Sequence, residues 1–156
     1  MIVVADTSPF IALERIGQLS LLPALYEEVV IPEAVRDELA PFSPGLARQW
    51  PEWLRVERAR GTDRVRQLDA SLHAGEAEAI ALATDLRLPL VIDERRGRAV
   101  ARRLGVTILG TIAVIIAAEK AGLISAGEAV FDDLARTGFY LTPELVDQAR
   151  RAAGQE

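Results

Sequence analysis

Two aspartates directly follow apolar segments of the chain, in positions where side chains often do chemistry. Asp6 comes after the apolar run Ile2–Ala5, and Asp93 comes after the run at residues 90–92. If both runs are strands of an open parallel sheet, ligands bind at their carboxyl ends, where the winding of the chain reverses. The two carboxylates are therefore candidates for one shared site. Taken alone, either residue could equally form a turn or cap a helix.

Glu38 is selected by its phase on a predicted helix. In the helix expected over residues 32–40, Val35 and Leu39 define the inward face, and Glu38 lies on or beside that face. A carboxylate in such a place needs a partner, because burying an unpaired charge is costly. The pattern favours Glu38 as a third acid of the site. An exposed position paired with a nearby arginine is the alternative.

Helical phase also separates Glu76 from Glu78. In the helix predicted over residues 75–86, Glu76 falls within roughly 30° of the centre of the apolar face. Glu78 points about 130° away from that centre, toward Asp85 and solvent. Glu76 is therefore the expected fourth acid, and Glu78 is its substitute. A first-turn glutamate that only favours the helix dipole is the simpler alternative for both.

Four carboxylates from two strand ends and two helices form a donor set that suits a hard divalent cation. Mg²⁺ and Mn²⁺ prefer oxygen ligands in octahedral geometry and keep several waters. A bound cation also relieves the repulsion among uncompensated carboxylates. Such an ion can activate water for attack on a phosphodiester and stabilise charge on the departing oxygen, and a second ion can join during turnover. The single histidine, His73, could not build a histidine metal site.

The charge of the chain is unevenly distributed. A net charge of −5 would repel a nucleic-acid backbone if it were evenly spread, but distribution matters more than the total. Five arginines crowd into one short segment: Arg95, Arg96, Arg98, Arg102 and Arg103. The cluster could bind phosphates, and a solvated helix face explains it equally well.

The elements that would position these residues form an alternating pattern. Apolar runs with strand character lie at residues 2–5, 29–31, 90–92 and 106–109, with a weaker candidate at residues 55–58. Helical patterns between most of them predict an α/β fold with a mainly parallel sheet. Three helices are expected at residues 112–121, 126–136 and 143–152. We therefore expect one domain over residues 1–156, with a C-terminal helical portion from about residue 112.

Composition indicates a compartment and excludes some chemistry. The chain has no cysteine, which removes disulfides, zinc–thiolate sites and thiol nucleophiles and is typical of a reducing cytoplasm. The five residues before Asp6 show neither a basic start nor a long apolar region, so neither a secretory signal nor a membrane span is expected there. The predicted location is the cytoplasm.

Four stretches of the chain, in this order and spacing, resemble the PIN-domain proteins. They are VVADTSPFIALERIGQLSLL, VVIPEAVRDEL, GEAEAIALA and LVIDERRGRAVARRLGVTILGT, and they span most of residues 3–111. The likeness is greatest to a branch that was long catalogued as a domain of unknown function and is grouped with toxin–antitoxin nucleases.

The resemblance implies a three-layer α/β/α sandwich with a parallel sheet of about five strands and one acidic pocket at its carboxyl edge. It places Asp6 and Glu38 at the first two acidic positions of the family. Glu76 falls at the third, where many relatives have Asp, and Asp93 at the fourth. Ser8 stands where relatives carry a hydroxyl near the metal, so it is expected to orient a ligand or a water.

The resemblance also implies a function, namely a Mg²⁺- or Mn²⁺-dependent endoribonuclease. Arg95, Arg96 and Arg98 would contact RNA phosphates. Many relatives are toxins held inactive by a small antitoxin partner, and the C-terminal helices could support a homodimer. A catalytically inactive RNA-binding or partner-binding module with the same fold is the alternative. A haloacid-dehalogenase-like phosphatase is disfavoured, because it needs a second Asp where this chain has Ser8.

Overall fold

A parallel five-stranded sheet forms the centre of this computed structural model, which describes residues 1–154. The strands are β1 (Ile2–Ala5), β2 (Glu28–Ile31), β3 (Leu54–Val56), β4 (Leu90–Val91) and β5 (Ile108–Leu109). Their order across the sheet is β3-β2-β1-β4-β5, and each neighbouring pair is parallel. The winding therefore reverses between β1 and β4. The α/β class and the predicted number of strands are confirmed.

Both faces of the sheet are covered. Val3 and Val4 are adjacent in β1, so their side chains point to opposite faces, and both are fully buried. Val29 and Val30 repeat this pattern in β2. Continuous β-branched runs are typical of parallel strands that are packed on both sides. The predicted sandwich of helices around a sheet is thereby confirmed.

Helices flank the sheet along the whole described chain. They are α1 (Thr7–Arg15), α2 (Leu21–Leu25), α3 (Glu33–Leu39), α4 (Pro44–Arg48), α5 (Thr62–Leu68), α6 (Ala74–Leu86), α7 (Arg95–Arg103), α8 (Thr111–Lys120), α9 (Gly127–Arg136) and α10 (Pro143–Gly154). One group of contacts joins α3, α5, α6 and α7, another joins α2, α8, α9 and α10, and α1 contacts both groups. None of the helices in residues 1–154 combines the length and apolar character that crossing a bilayer requires.

Hydrogen bonds just beyond the strand ends align the carboxyl ends of the neighbouring strands β1, β4 and β5. The amide of Asp6 donates to the carbonyl of Val91 at 3.0 Å, and the amide of Ile92 donates to the carbonyl of Leu109 at 2.8 Å. Asp93 therefore leaves the sheet beside the last residues of β1 and β5. This edge is where the sequence predicts a site.

Candidate metal centre

Asp6 lies at the centre of the carboxyl edge and is almost completely buried, with 2% of its surface exposed. It occupies the N-cap position of α1, but its side chain does not cap the helix. Burial, together with the charges of Glu76, Glu38 and Asp93, raises the pKa of Asp6 from 3.8 to about 7. The four acids, which we call the acidic cluster, are therefore close enough to act on one another.

Glu76 brings a second buried carboxylate to the cluster from the first turn of α6. Only 6% of its surface is exposed. Its Oε1 accepts a hydrogen bond of 3.3 Å from the backbone amide of His73. Its Oε2 is buried, and no group in residues 1–154 donates a hydrogen bond to it. Burial also raises the pKa of Glu76. A buried oxygen without a donor needs an explanation, such as a proton or a cation.

Glu38 is half-buried on α3 and joins three helices. The hydroxyl of Thr7 donates to its Oε2 at 2.5 Å, and the amide of Gly75 donates to its Oε1 at 3.0 Å. Thr7 follows Asp6 directly, and Gly75 precedes Glu76 directly. These two bonds therefore bring Glu38 to the same edge as the first two acids.

Asp93 is half-buried and is held by a single residue. The amide of Thr111 donates to its Oδ1 at 2.8 Å, and the hydroxyl of Thr111 donates to its Oδ2 at 2.6 Å. Burial raises the pKa of Asp93, while these two bonds and the charge of Arg98 lower it. Because Thr111 begins α8, Asp93 also caps that helix. Helix capping was the alternative role that the sequence allowed for Asp93.

The cluster is an open group of carboxylates rather than a finished metal cage. Within residues 1–154, no three acidic or histidine side chains stand close enough to hold one ion directly. An ion that keeps several waters, as Mg²⁺ does, can bridge such a group. The all-oxygen donor set, the burial and mutual repulsion that raise the pKa of Asp6, and the unpartnered Oε2 of Glu76 all fit a divalent cation.

Three glycines line the cluster, and sequence reasoning gave them no role. A Cβ would lie 2.4 Å from Oε2 of Glu38 at Gly75, 3.0 Å from Oε2 of Glu76 at Gly97, and 3.2 Å from Oδ1 of Asp93 at Gly110. Backbone can therefore approach each of these carboxylates closely. The sequence shows that Gly75 directly precedes Glu76, which could have drawn attention to it. The carboxylate that each glycine contacts, however, lies far away along the chain, so these contacts could not be predicted.

Gly75→Ala is expected to push Glu38 out of the cluster. The new methyl group would lie within 2.9 Å of three atoms of the Glu38 carboxylate, which must then leave both of its donors. We expect the free energy of unfolding to fall by about 1–2 kcal/mol, measured by denaturant unfolding. In a Glu38→Ala background the cost should vanish, because the colliding group is gone. Gly45→Ala, with nothing within 4 Å, is the matched control. An equal cost in both backgrounds would contradict the steric explanation.

Ser8 and Glu78, the two further residues that the sequence analysis discusses, both lie outside the acidic cluster's hydrogen bonds within residues 1–154. Ser8 is exposed, and its hydroxyl makes no hydrogen bond to the described residues, whereas the neighbouring Thr7 contacts Glu38. The role of Ser8 stays a prediction. Glu78 does not point to solvent as expected: it is half-buried, and its Oε2 accepts from the amide of Ala34 at 2.8 Å. Ala34 lies in the first turn of α3, so Glu78 caps the start of a helix that is distant in the sequence.

The arginines of α7 differ in their surroundings. Arg95 is exposed in the first turn, just beyond Asp93. Arg96 is also exposed, and its guanidinium donates to the hydroxyl of Ser71 at 2.5 Å. Arg98 is half-buried and donates to the carbonyl of Ile92 at 2.8 Å, and burial lowers its pKa. Arg98 thus faces the cluster, whereas the first two arginines face solvent beside it.

Comparison with known proteins agrees with this architecture. The family model for the PIN domain matches residues 2–155. A PilT N-terminus domain protein from the hyperthermophilic archaeon Sulfolobus solfataricus P2 is similar in structure, with a TM-score of 0.53 and 18% sequence identity over 75% of this chain and 92% of that chain. At that identity the likeness concerns the fold alone. No curated protein matches the sequence. Because the family model covers almost the whole sequence, the chain belongs to the PIN-domain family.

Proposed function

We propose that the chain is a Mg²⁺- or Mn²⁺-dependent endoribonuclease that hydrolyses phosphodiester bonds of RNA. The PIN domain is a nuclease fold, and this supports hydrolysis of a nucleic acid. The observation that carries the proposal is the pair formed by Asp6 and Glu76. Both carboxylates are buried at the switch point of the sheet, and burial raises the pKa of each. The charge of Glu76 also contributes to the raised pKa of Asp6, and Oε2 of Glu76 has no donor in residues 1–154.

Each acid has a distinct part in this proposal. Asp6 and Glu76 would hold the cation, because their oxygens are the least engaged by hydrogen bonds within residues 1–154. Glu38 and Asp93 would contribute to holding it directly or through water, and each is kept in place by a threonine hydroxyl and a backbone amide. A bound Mg²⁺ or Mn²⁺ supplies a lowered water pKa and stabilises charge on the departing oxygen.

The substrate is proposed from charge and from the resemblance to family ribonucleases. Arg95 and Arg96 are exposed at the start of α7, two and three residues beyond Asp93, where they can meet phosphates of a strand that crosses the cluster. Arg98 is engaged with the carbonyl of Ile92, so its phosphate contact requires that bond to be shared or exchanged. These contacts position the backbone and carry no sequence preference.

The biological role is proposed from the same resemblance. The chain would act in the cytoplasm as the toxin of a toxin–antitoxin pair, bound by a small antitoxin protein. A homodimer is supported by two large exposed apolar side chains that flank the C-terminal helices, Leu123 at 44% and Tyr140 at 79% exposure. A short reading frame directly before the gene would support the pairing with an antitoxin.

A second candidate is a catalytically inactive module that binds RNA or a protein partner. One observation favours it: both oxygens of Asp93 are engaged by Thr111, and no three acids of the described chain stand at direct coordinating distance. Such a module would bind RNA whether or not a divalent cation is present. An active enzyme would need the cation for turnover.

The experiment that separates the two candidates is cleavage of a labelled single-stranded RNA with Mn²⁺ or with EDTA. We expect cleavage with Mn²⁺ only, and calorimetry should detect Mn²⁺ binding without RNA. Glu76→Gln keeps the size of the side chain and removes its charge, so cleavage should fall by about a hundredfold or more. Glu144→Gln, at an exposed position of α10, is the matched control. RNA binding without cleavage, unchanged by EDTA, would favour the inactive module.

A further inference from the structure

Thr111 fixes the carboxylate of Asp93 from two sides. Its amide donates to Oδ1 at 2.8 Å, and its hydroxyl donates to Oδ2 at 2.6 Å. Thr111 is fully buried, with 0% of its surface exposed, so solvent does not compete for either donor. Because one residue holds both oxygens, it sets the plane of the carboxylate as well as its position.

The backbone gives these two donors little freedom. The bond of 2.8 Å from the amide of Ile92 to the carbonyl of Leu109 keeps the ends of β4 and β5 side by side. Gly110 then connects β5 to α8, and a Cβ there would lie 3.2 Å from Oδ1 of Asp93 and 3.1 Å from a guanidinium nitrogen of Arg98. The chain therefore passes Asp93 at a distance that only a glycine permits without displacement.

The hydroxyl of Thr111 has no other structural task. The amide bond to Asp93 already satisfies the first N–H of α8, which has no partner inside the helix. The hydroxyl satisfies no backbone group, and its single described bond goes to Oδ2. A residue needed only for capping would therefore function without it.

Two hydrogen bonds leave the carboxylate able to bind more. Each oxygen of an ionised carboxylate has two lone pairs, so one bond to each oxygen leaves a lone pair free on both. We propose that Thr111 is a positioning residue for the divalent cation: it fixes Asp93 so that these remaining lone pairs are available to an ion shared with Asp6. This inference rests on the proposed function, because it requires the cation.

The test removes the hydroxyl and keeps everything else. Thr111→Val preserves the shape of the side chain and the amide that caps α8. We expect the Mn²⁺ dissociation constant, measured by calorimetry without RNA, to rise about tenfold, the usual effect of losing a partner that orients a metal ligand. Thr111→Ser keeps the hydroxyl and should bind Mn²⁺ like the wild type. Cleavage by the valine variant should fail at low Mn²⁺ concentration and recover when the concentration is raised.

Two further variants keep this test decisive. Thr84→Val removes a hydroxyl that donates to the carbonyl of Ile80 at 2.7 Å within α6, and it should not change Mn²⁺ binding. If circular dichroism shows that Thr111→Val does not fold, Gly110→Ala replaces it, because its methyl group requires Asp93 to shift by a few tenths of an ångström, which should weaken Mn²⁺ binding.

Three results would overturn the proposal: wild-type affinity in Thr111→Val, equal loss in Thr111→Ser, or wild-type affinity in Gly110→Ala where that variant is used. Mn²⁺ binding by the wild-type protein without RNA cleavage would count against the nuclease and leave the role of Thr111 to be decided by the affinities. A wild-type protein that binds no Mn²⁺ would overturn both.

Discussion

Asp6→Asn is expected to abolish cation-dependent RNA cleavage while the fold is retained. Asn has nearly the same shape as Asp, so the buried position stays filled, but the variant lacks the charge that a cation needs. The loss should exceed a hundredfold, because even partners that only orient a metal ligand are worth about ten- to a hundredfold. The measurements are the rate of RNA cleavage and the Mn²⁺ affinity from calorimetry, with circular dichroism to check the fold.

The control for Asp6→Asn should change the same residue type outside the cluster. Asp85 is exposed near the end of α6, and Asp85→Asn changes the net charge by the same amount. We expect cleavage by this variant to match the wild type. If Asp6→Asn cleaved RNA at the wild-type rate in Mn²⁺, the acidic cluster could not be the active site.

The second large effect concerns stability: without a cation, the protein should become less stable as the pH rises from 5 to 8. Burial, together with the charges of its neighbours, raises the pKa of Asp6 from 3.8 to about 7. Between these two values the folded protein binds more protons than the unfolded chain, so the free energy of unfolding falls as pH rises. The contribution of Asp6 is fully present below its unfolded pKa and is lost by the time the pH passes its folded pKa.

The size of the effect can be measured by thermal unfolding. From pH 5 to pH 8, Asp6 alone should lower the free energy of unfolding by about 3 kcal/mol. For a domain of this length, that loss corresponds to a fall in melting temperature of roughly 6–12 °C. The raised pKa values of Glu76 and Asp93 act in the same direction. Glu119, whose pKa is lowered from 4.5, acts at lower pH, outside this window.

Mn²⁺ should oppose this trend, because a cation binds ionised carboxylates and its stabilisation therefore grows as they lose protons. The rise in melting temperature on adding Mn²⁺ should be larger at pH 8 than at pH 5. In Asp6→Asn the pH dependence of the cation-free protein should be shallower, and its melting temperature at pH 8 should exceed that of the wild type. If the cation-free wild-type protein were more stable at pH 8 than at pH 5, the raised pKa of Asp6 would be contradicted.

The strands and the helices that carry acids could be predicted from the sequence because their signals are local. A β-branched run followed by Asp6 predicts a strand and its carboxyl end, and the apolar spacing around Glu76 gives its face on α6. The predicted parallel direction of the strands is confirmed. At β5 the prediction was too long by two residues, since the amide of Val106 bonds back to the carbonyl of Ala101 in α7 rather than joining the sheet.

The partners of the acids could not be predicted, because they depend on contacts between residues far apart in the chain. The hydroxyl of Thr111 reaches Asp93 over 18 residues, and the hydroxyl of Thr7 reaches Glu38 over 31 residues. Helical phase gives the direction in which a side chain leaves its own helix. Helical phase does not show which backbone or hydroxyl group the side chain contacts there.

The bond from the amide of Ala34 to Glu78 links the start of one glutamate-bearing helix to the middle of the other. α3 has only seven residues, so a disturbance at its first turn is transmitted to Glu38 near its other end. In a mutational screen for the proposed nuclease, a substitution of Glu78 would therefore be expected to lower RNA cleavage, although Glu78 contacts neither ion nor substrate. In this fold, a loss of activity on substituting an acidic residue near the acidic cluster therefore does not by itself identify that residue as a metal ligand.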